Sequence, residues 1–367
     1  MAWLKKLQAV YKAPNLLFRG TFSYDFDGIP LVAKNISIQK RINLLKCGLD
    51  MLLHRKRLMC LPPSIQVEPT NICNLDCPLC PTGSTLIKRP KGEISMNLFN
   101  RLLEELGDVL LTIILYSWGE PFLSKHFPEM VESCTRRNIL TLTSTNGNCS
   151  LTKDDALRIV DAGLSALVIA MDGSTQDIYQ TYRRGGDIEK VKRFASIIQE
   201  AKAIRGSKLP YTNLRVVINN SNEKDLDNIK HFARDLKMDQ FSIKSIGDLT
   251  ANTPFDKFET TDTDMRRYVY GENEGKRKKK PEIKCPFPFR QPTVFWDGTV
   301  VGCEFDYETT NSWGKIGDRP FTEIWNSVSA LRHRTAILNR KHRPIFCSSC
   351  PYRDRVQKSS IVYSVKI

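Results

Sequence analysis

Between Pro63 and Gly247 the chain alternates short apolar runs with longer amphipathic ones. Residues 65–68, 111–116, 140–144, 166–171, 214–218 and 240–246 read as strands from their brief Val-, Ile- and Leu-rich runs. Residues 97–106, 125–138, 153–162, 188–205 and 223–236 read as helices. Strand and helix in regular alternation predict a parallel sheet, an α/β fold.

Two helical stripes precede this core. Trp3, Leu4, Leu7, Val10 and Tyr11 recur at helical spacing with Lys5, Lys6 and Lys12 on the other side, and Pro14 ends the run. Residues 38 to about 58 carry a second stripe of Ile38, Ile42, Leu45, Leu49 and Leu52, decorated by Lys40, Arg41, Lys46, Arg55, Lys56 and Arg57. Both stripes are expected to pack on the core, as most amphipathic helices do; basic helices of this kind also suit an anionic membrane surface. Residues 248–281 are polar and Pro-containing and read as a linker. Residues 292–302 read as a hairpin turning at Asp297–Gly298. The expected organisation is a basic, largely helical extension (1–62), the α/β core (63–250), a polar linker (251–281) and a small C-terminal domain (282–367).

Charge and cysteine content change this picture. The 367-residue chain carries a formal net charge of +15. Part of that surplus precedes Cys60, and part lies in the basic run 276–280. Such a surplus favours anionic partners: phosphate groups, nucleic acid or a membrane surface. No RNA-binding motif is visible, so a nucleic-acid partner is not expected. No apolar run is long enough to span a bilayer, and the N-terminus lacks the apolar core of a signal peptide. A cytoplasmic protein is expected, with peripheral contact at the inner face of the membrane as an option. Eleven cysteines in that setting point to metal rather than disulfides.

The stretch 71–81, Asn-Ile-Cys-Asn-Leu-Asp-Cys-Pro-Leu-Cys-Pro, follows the first predicted strand. It sets Cys73, Cys77 and Cys80 at Cys-x3-Cys-x2-Cys. Three thiolates in one tight loop can hold three irons of a cubane whose full ligation takes four. With no fourth cysteine nearby, one iron is left open to bind and reduce a ligand. The competing readings are three buried thiols or a zinc knuckle, but zinc takes four ligands in Cys-x2-Cys pairs.

This spacing resembles the radical S-adenosylmethionine (SAM) superfamily. The resemblance implies a partial (β/α)6 TIM-like barrel with function at the C-terminal ends of its strands. It also implies a [4Fe-4S] cluster on Cys73, Cys77 and Cys80 whose open iron chelates SAM. One electron then splits the sulfonium to a 5′-deoxyadenosyl radical, supplied by a reductant such as flavodoxin or ferredoxin. Tyr116-Ser-Trp-Gly-Glu-Pro-Phe122 is similar to the family's Gly-Gly-Glu-Pro motif, with Glu120 facing the SAM amino group, Gly119 beside it and Trp118 in place of the first glycine. Ser144-Thr-Asn-Gly147 matches a Thr-Asn-Gly motif, which makes Ser144 and Asn146 candidates for ribose or substrate; a plain turn is the alternative. Ala170-Met-Asp-Gly173 stands where the family has Ser-x-Asp-Gly. Ala170 has no hydroxyl, so that contact is lost or passes to water, Asp172 or Ser174. Arg183 fits the arginine slot for the SAM carboxylate, with Arg184 as its neighbour. Leu79 would cover the adenine.

Cys285, Cys303, Cys347 and Cys350 form a second set, with Gly-x4-Cys at 298–303 and a closing Cys-x2-Cys. It resembles the family's C-terminal SPASM/twitch extension, here the four-cysteine twitch form with one fully ligated auxiliary [4Fe-4S] cluster. Structural zinc is the alternative. The resemblance implies a radical SAM oxidoreductase that abstracts hydrogen from a small polyol, sugar or lipid-linked substrate. The auxiliary cluster would accept the electron in an oxidation, or the reaction would be an epimerisation. Glu304, Asp306 and Asp248 are candidates for a general acid or base. The competing functions are a peptide-modifying maturase, and a zinc-stabilised binder of nucleic acid or membrane. Cys47, Cys60, Cys134 and Cys149 are expected to be buried thiols, Cys149 also being a candidate hydrogen donor.

Overall fold

The computed structural model describes residues 15–16, 18–247, 255–270, 285–339, 341–347, 350–352 and 359–367. The first helical stripe, the basic run 276–280 and Asp248 lie outside the described residues.

Near the start of the described residues lies a feature absent from the sequence reading, an antiparallel hairpin of β1 (Phe22–Phe26) and β2 (Ile29–Ala33). Its turn is Asp27–Gly28, both with positive φ (50° and 82°), the conformation that matches the twist of a two-residue hairpin. Among the described residues the extension thus combines this hairpin with a helix. Helix α1 (Ile38–Leu52) follows, capped by the Ser37 hydroxyl.

Six parallel strands then appear in the predicted order: β3 (Ser64–Val67), β4 (Thr112–Leu115), β5 (Leu140–Thr145), β6 (Ala166–Ala170), β7 (Tyr211–Ile218) and β8 (Gln240–Ser245), each paired with the next. Between them lie α2 (Met96–Leu106), α3 (Phe127–Thr135), α4 (Lys153–Ala162), the short α5 (Gln176–Tyr182), α6 (Ile188–Arg205) and α7 (Leu226–Asp235). This is the partial barrel. Only α5 was not anticipated.

Alternate strand residues face opposite ways. Ile65, Ile113, Leu167, Leu214 and Ile243 pack outward beneath the helices in the main core. The opposite, inner face is filled by the hairpin: Ile29 and Leu31 pack with Ile114, Leu142, Ala166 and Val168. Burying such a side chain contributes about 1.5–3 kcal/mol, which fixes the hairpin inside the barrel. Its Ala33 end lies with Leu111, before β4 begins. Its tip reaches the middle and far ends of β7 and β8, where Asp27 meets Arg215 and Lys244.

The C-terminal region is joined to the same sheet. In β9 (Thr293–Val294) and β10 (Thr299–Val301), the expected hairpin forms, and β9 pairs in parallel with β3. β11 (Gly314–Lys315) adds to β10, and β12 (Ile361–Lys366) runs antiparallel to β8 at the opposite edge. Among the described residues the order is β11-β10-β9-β3-β4-β5-β6-β7-β8-β12. Three short helices complete this region: α8 (Phe287–Arg290), α9 (Phe321–Trp325) and α10 (Val328–Asn339). Part of the expected linker is also packed: Phe255, Phe258 and Tyr268 are buried with Leu75, Cys77 and Leu79. Its aromatic residues, not its polar majority, decide that placement.

Candidate active site and the two cysteine sets

The loop after β3 carries Cys73, Cys77 and Cys80 beyond the C-terminal end of that strand. Cys77 is buried, and Cys73 and Cys80 are half-buried. Leu79 is buried in the small apolar cluster that backs this loop, together with Tyr182 and Ile246. The loop after β4 approaches closely: the Glu120 N–H donates to the Ile72 carbonyl at 2.9 Å. Gly119 permits that approach, because a Cβ there would fall 2.1 Å from the Thr70 carbonyl oxygen.

Glu120 is buried and accepts from the Thr145 hydroxyl (2.8 Å), the Phe122 N–H (3.1 Å) and the Asn146 N–H (2.7 Å). Burial pushes its pKa up to about 6 against those hydrogen bonds, which lower it. Asn146 links this carboxylate to the cysteines, its amide reaching the Cys73 sulfur at 3.8 Å and Asn74 at 2.9 Å. From the far side Arg183 donates to the Cys77 sulfur at 3.8 Å and pairs with Asp172 at 2.5 Å. Asp172 is fully buried and also accepts from the Val217 N–H at 2.6 Å.

Of the two arginines, Arg183 faces the cysteines, while Arg184 is exposed. Ser174 is committed to Asp225, to which its N–H and hydroxyl both donate at 2.6 Å, so it does not replace the hydroxyl that Ala170 lacks. Ser144 is half-buried at the C-terminal end of β5. The Trp118 indole points toward the C-terminal domain: its N–H donates to the Glu304 carbonyl at 2.8 Å, and its ring meets Phe305 and Tyr307.

Burial raises the thiols of Cys73 and Cys77, to about 11 and about 12. A thiolate in that setting needs a cation beside it. Three soft donors in one loop, with Asn146 and Arg183 donating to two of the sulfurs, fit an iron cluster and its outer hydrogen bonds.

The second set is built differently. Cys285, Cys303, Cys347 and Cys350 line one cavity of about 200 Å³ with Phe287, Phe305, Phe346, Tyr352, His333 and Arg290 among their neighbours. Burial pushes Cys285 and Cys347 up to about 12. Among the described residues no three His, Cys, Asp or Glu side chains gather tightly enough for a single metal ion. Four thiols that ring one cavity can fully ligate a cubane.

Both cysteine sets match known families. Residues 67–233 match the radical SAM superfamily, and residues 285–351 match SPASM, an iron–sulfur cluster-binding domain. The chain carries a radical SAM domain followed by a SPASM domain. Its cofactors are SAM and a [4Fe-4S] cluster, with auxiliary iron–sulfur chemistry in the SPASM domain. Among curated relatives, the tungsten-containing aldehyde ferredoxin oxidoreductase cofactor-modifying protein of Pyrococcus furiosus is 24% identical, over 79% of this chain and 87% of that protein. Fe-coproporphyrin III synthase of Methanosarcina barkeri is 22% identical, over 80% and 81%. PqqA peptide cyclase of Rhodopseudomonas palustris is 27% identical over 51% of this chain and 47% of its own. Streptococcus suis SuiB bound to its precursor peptide SuiA shares the fold at a TM-score of 0.62, with 14% identity over 95% of this chain and 82% of its own.

Sequence reasoning missed one cluster at the barrel mouth. Arg215 donates to the Asp27 carboxylate and carbonyl, both at 2.7 Å, and Lys244 donates to the same carboxylate at 2.9 Å. Beside them Glu304 accepts from the Gln66 amide at 2.7 Å, and that amide also reaches the Tyr116 carbonyl. Burial favours a neutral Asp27, but Lys244 and Arg215 outweigh it and hold this carboxyl well below the usual range. Asp27, Tyr116, Lys244 and Glu304 are all half-buried. Of these residues only Glu304 was a candidate from sequence. Asp306 instead closes its own loop, accepting from Thr310 and Asn311.

Proposed function

We propose that this radical SAM enzyme oxidises, or epimerises through a radical, a carbon of a small polar substrate seated at the barrel mouth. The substrate class is a polyol, a sugar or a lipid-linked sugar. The observation that carries this reading is the charged cluster of Asp27, Arg215, Lys244 and Glu304, which adjoins Cys303 of the second cysteine set. Glu304 follows Cys303 directly, and its carbonyl holds the Trp118 indole beside Gly119 and Glu120. Hydroxyl-rich ligands suit such a cluster, because buried charges discriminate strongly in favour of groups that can hydrogen-bond to them.

When bound, the [4Fe-4S] cluster on Cys73, Cys77 and Cys80 together with SAM supplies a radical that removes a hydrogen atom, and one auxiliary cluster on Cys285, Cys303, Cys347 and Cys350 can take the electron left on the substrate. The chain's residues orient and neutralise. Glu120 meets the SAM ammonium and Arg183 its carboxylate. Asn146 and Ser144 face the ribose or the substrate, Leu79 lies against the adenine, and Asp172 fixes Arg183. Lys244 holds the substrate's oxygens, and Arg215, buried against Asp27 and Ser242, fixes the Asp27 carboxylate beside it. Glu304 accepts the hydroxyl proton, so that loss of a hydrogen atom, an electron and a proton turns an alcohol into a ketone. A small electron carrier, flavodoxin or ferredoxin, is the expected reductant.

The two relatives that span about four-fifths of the chain carry names for a cofactor-modifying protein and a porphyrin synthase, while the peptide cyclase spans about half. That distribution favours a small molecule over a peptide. The test is anaerobic turnover with deuterated polyols, sugars and nucleotide sugars. Deuterium in 5′-deoxyadenosine is expected from at least one of them, and Glu304→Gln should lower product more than SAM cleavage. Deuterium transfer from peptides alone would move the assignment to a maturase.

A further inference from the structure

Helix α1 is assembled with its faces reversed. The expected core stripe is solvent-exposed: Ile38 at 60%, Ile42 at 46%, Leu45 at 48%, Leu49 at 44% and Leu52 at 64%. The buried residues are Lys40, Asn43, Cys47 and Asp50, on the opposite side of the helix. These polar side chains fasten it. The Lys40 ammonium donates to the Arg137 and Asn138 carbonyls at 2.9 and 2.8 Å. Asn43 exchanges two hydrogen bonds of 2.9 Å with the Leu61 backbone. Asp50 accepts from the Met59 and Cys60 N–H groups at 2.7 and 2.9 Å. The outward stripe is thus held in place by specific contacts on the other face. A contiguous apolar row on a monomer's surface marks an interaction site.

Charge identifies what covers it. Asp50 is the only acidic residue between Asp27 and Glu68, and it is buried. Exposed Lys34 precedes the helix, Lys46 flanks the stripe, and Lys56 and Arg57 follow it. An apolar row whose own stretch of chain, from Gly28 to Val67, brings exposed cations and no exposed carboxylate complements an anionic lipid surface. It does not complement a second copy of itself; residues 1–14, with Lys5, Lys6 and Lys12 opposite their own apolar stripe, are the rival occupant that the labelling experiment below tests. No described helix is long and apolar enough to cross a membrane, so α1 would lie on the surface. Its contacts are to Leu61, before β3, and to Arg137 and Asn138, before β5. The helix therefore sits at the N-terminal ends of these strands, opposite the end that carries Cys73, Cys77 and Cys80, and its Cys47, Asp50 and Met51 line a cavity with Cys285.

We propose that α1 docks this protein on anionic phospholipid through Ile38, Ile42, Leu45, Leu49 and Leu52. The test is flotation of full-length, cluster-loaded protein with vesicles of phosphatidylcholine alone and of equal parts phosphatidylcholine and phosphatidylglycerol. Flotation is expected only with the anionic vesicles and should weaken with salt. The exposed double substitution Leu45→Glu/Leu49→Glu should weaken it by about tenfold or more, and Lys46→Glu by about fivefold or more, with SAM cleavage unchanged. Protein that ignores both vesicle types, or that floats equally well with the double substitution, overturns the proposal. A concentration-dependent dimer dissolved by the same substitutions also overturns it, by assigning the stripe to a second copy. So does a stripe already shielded from carbene labelling in the lipid-free monomer, which assigns it to residues 1–14.

Discussion

The two cysteine sets offer the same donor atom in unlike surroundings. Around Cys73, Cys77 and Cys80 stand Asn146, Arg183, Asp172 and, one hydrogen bond further out, Glu120. Around Cys285, Cys303, Cys347 and Cys350 stand Phe287, Phe305, Phe346, Tyr352 and a neutral His333, whose pKa burial lowers to about 4, with Arg290, Arg343, Glu304 and Asp306 as charged neighbours behind that aromatic lining. A site that must seat a zwitterion needs fixed charges of both signs. A site that only takes up an electron needs its ligands filled and its surroundings dry. The lining of each set therefore separates their tasks more clearly than the cysteines do.

The largest way to break this comparison is Cys73→Ala, which should reduce SAM cleavage to background while the second set keeps its iron; iron content and 5′-deoxyadenosine formation measure both. Cys303→Ala should do the reverse, abolishing substrate product while SAM cleavage stays within about tenfold of wild type. Arg183→Lys should raise the KM for SAM by roughly 10–100-fold, because an ammonium cannot reproduce the guanidinium fork that meets Asp172 and a carboxylate together. Glu120 adds a pH dependence. Burial pushes its pKa up to about 6, and only the ionised form holds an ammonium. The KM for SAM should therefore rise by up to about tenfold per pH unit below that value, and Glu120→Gln should flatten the profile. The smallest effect is expected from Trp118→Phe, which removes one hydrogen bond between the two regions and should cost about 1 kcal/mol in thermal stability.

The barrel was legible because its strands are buried on both faces and read as plain Val/Ile/Leu runs; β6, Ala166–Ala170, is buried throughout. The cysteine loop was legible because its ligands lie within a few residues of one another. Helix α1 was placed correctly and turned the wrong way. Periodicity locates an apolar face but does not say whether the core or another surface covers it, and here Lys40, Asn43 and Asp50 are the anchors. The hairpin carried a readable signal, Phe-Ser-Tyr-Asp-Phe alternation into Asp27–Gly28, that the reading of residues 1–62 passed over. The charged cluster had no local signal. Asp27, Gln66, Arg215, Lys244 and Glu304 come from five distant places, and only the hairpin's entry into the barrel brings them together.

The central claim is that one cysteine set meets SAM and the other does not. Electron paramagnetic resonance of the anaerobically reduced, cluster-loaded protein with and without SAM tests it most directly. Two cubane signals are predicted, of which one shifts on adding SAM and is missing from Cys73→Ala, while the other is unmoved by SAM and missing from Cys303→Ala. A single signal, or two signals that both respond to SAM, would contradict the division of labour drawn from the residues around each set.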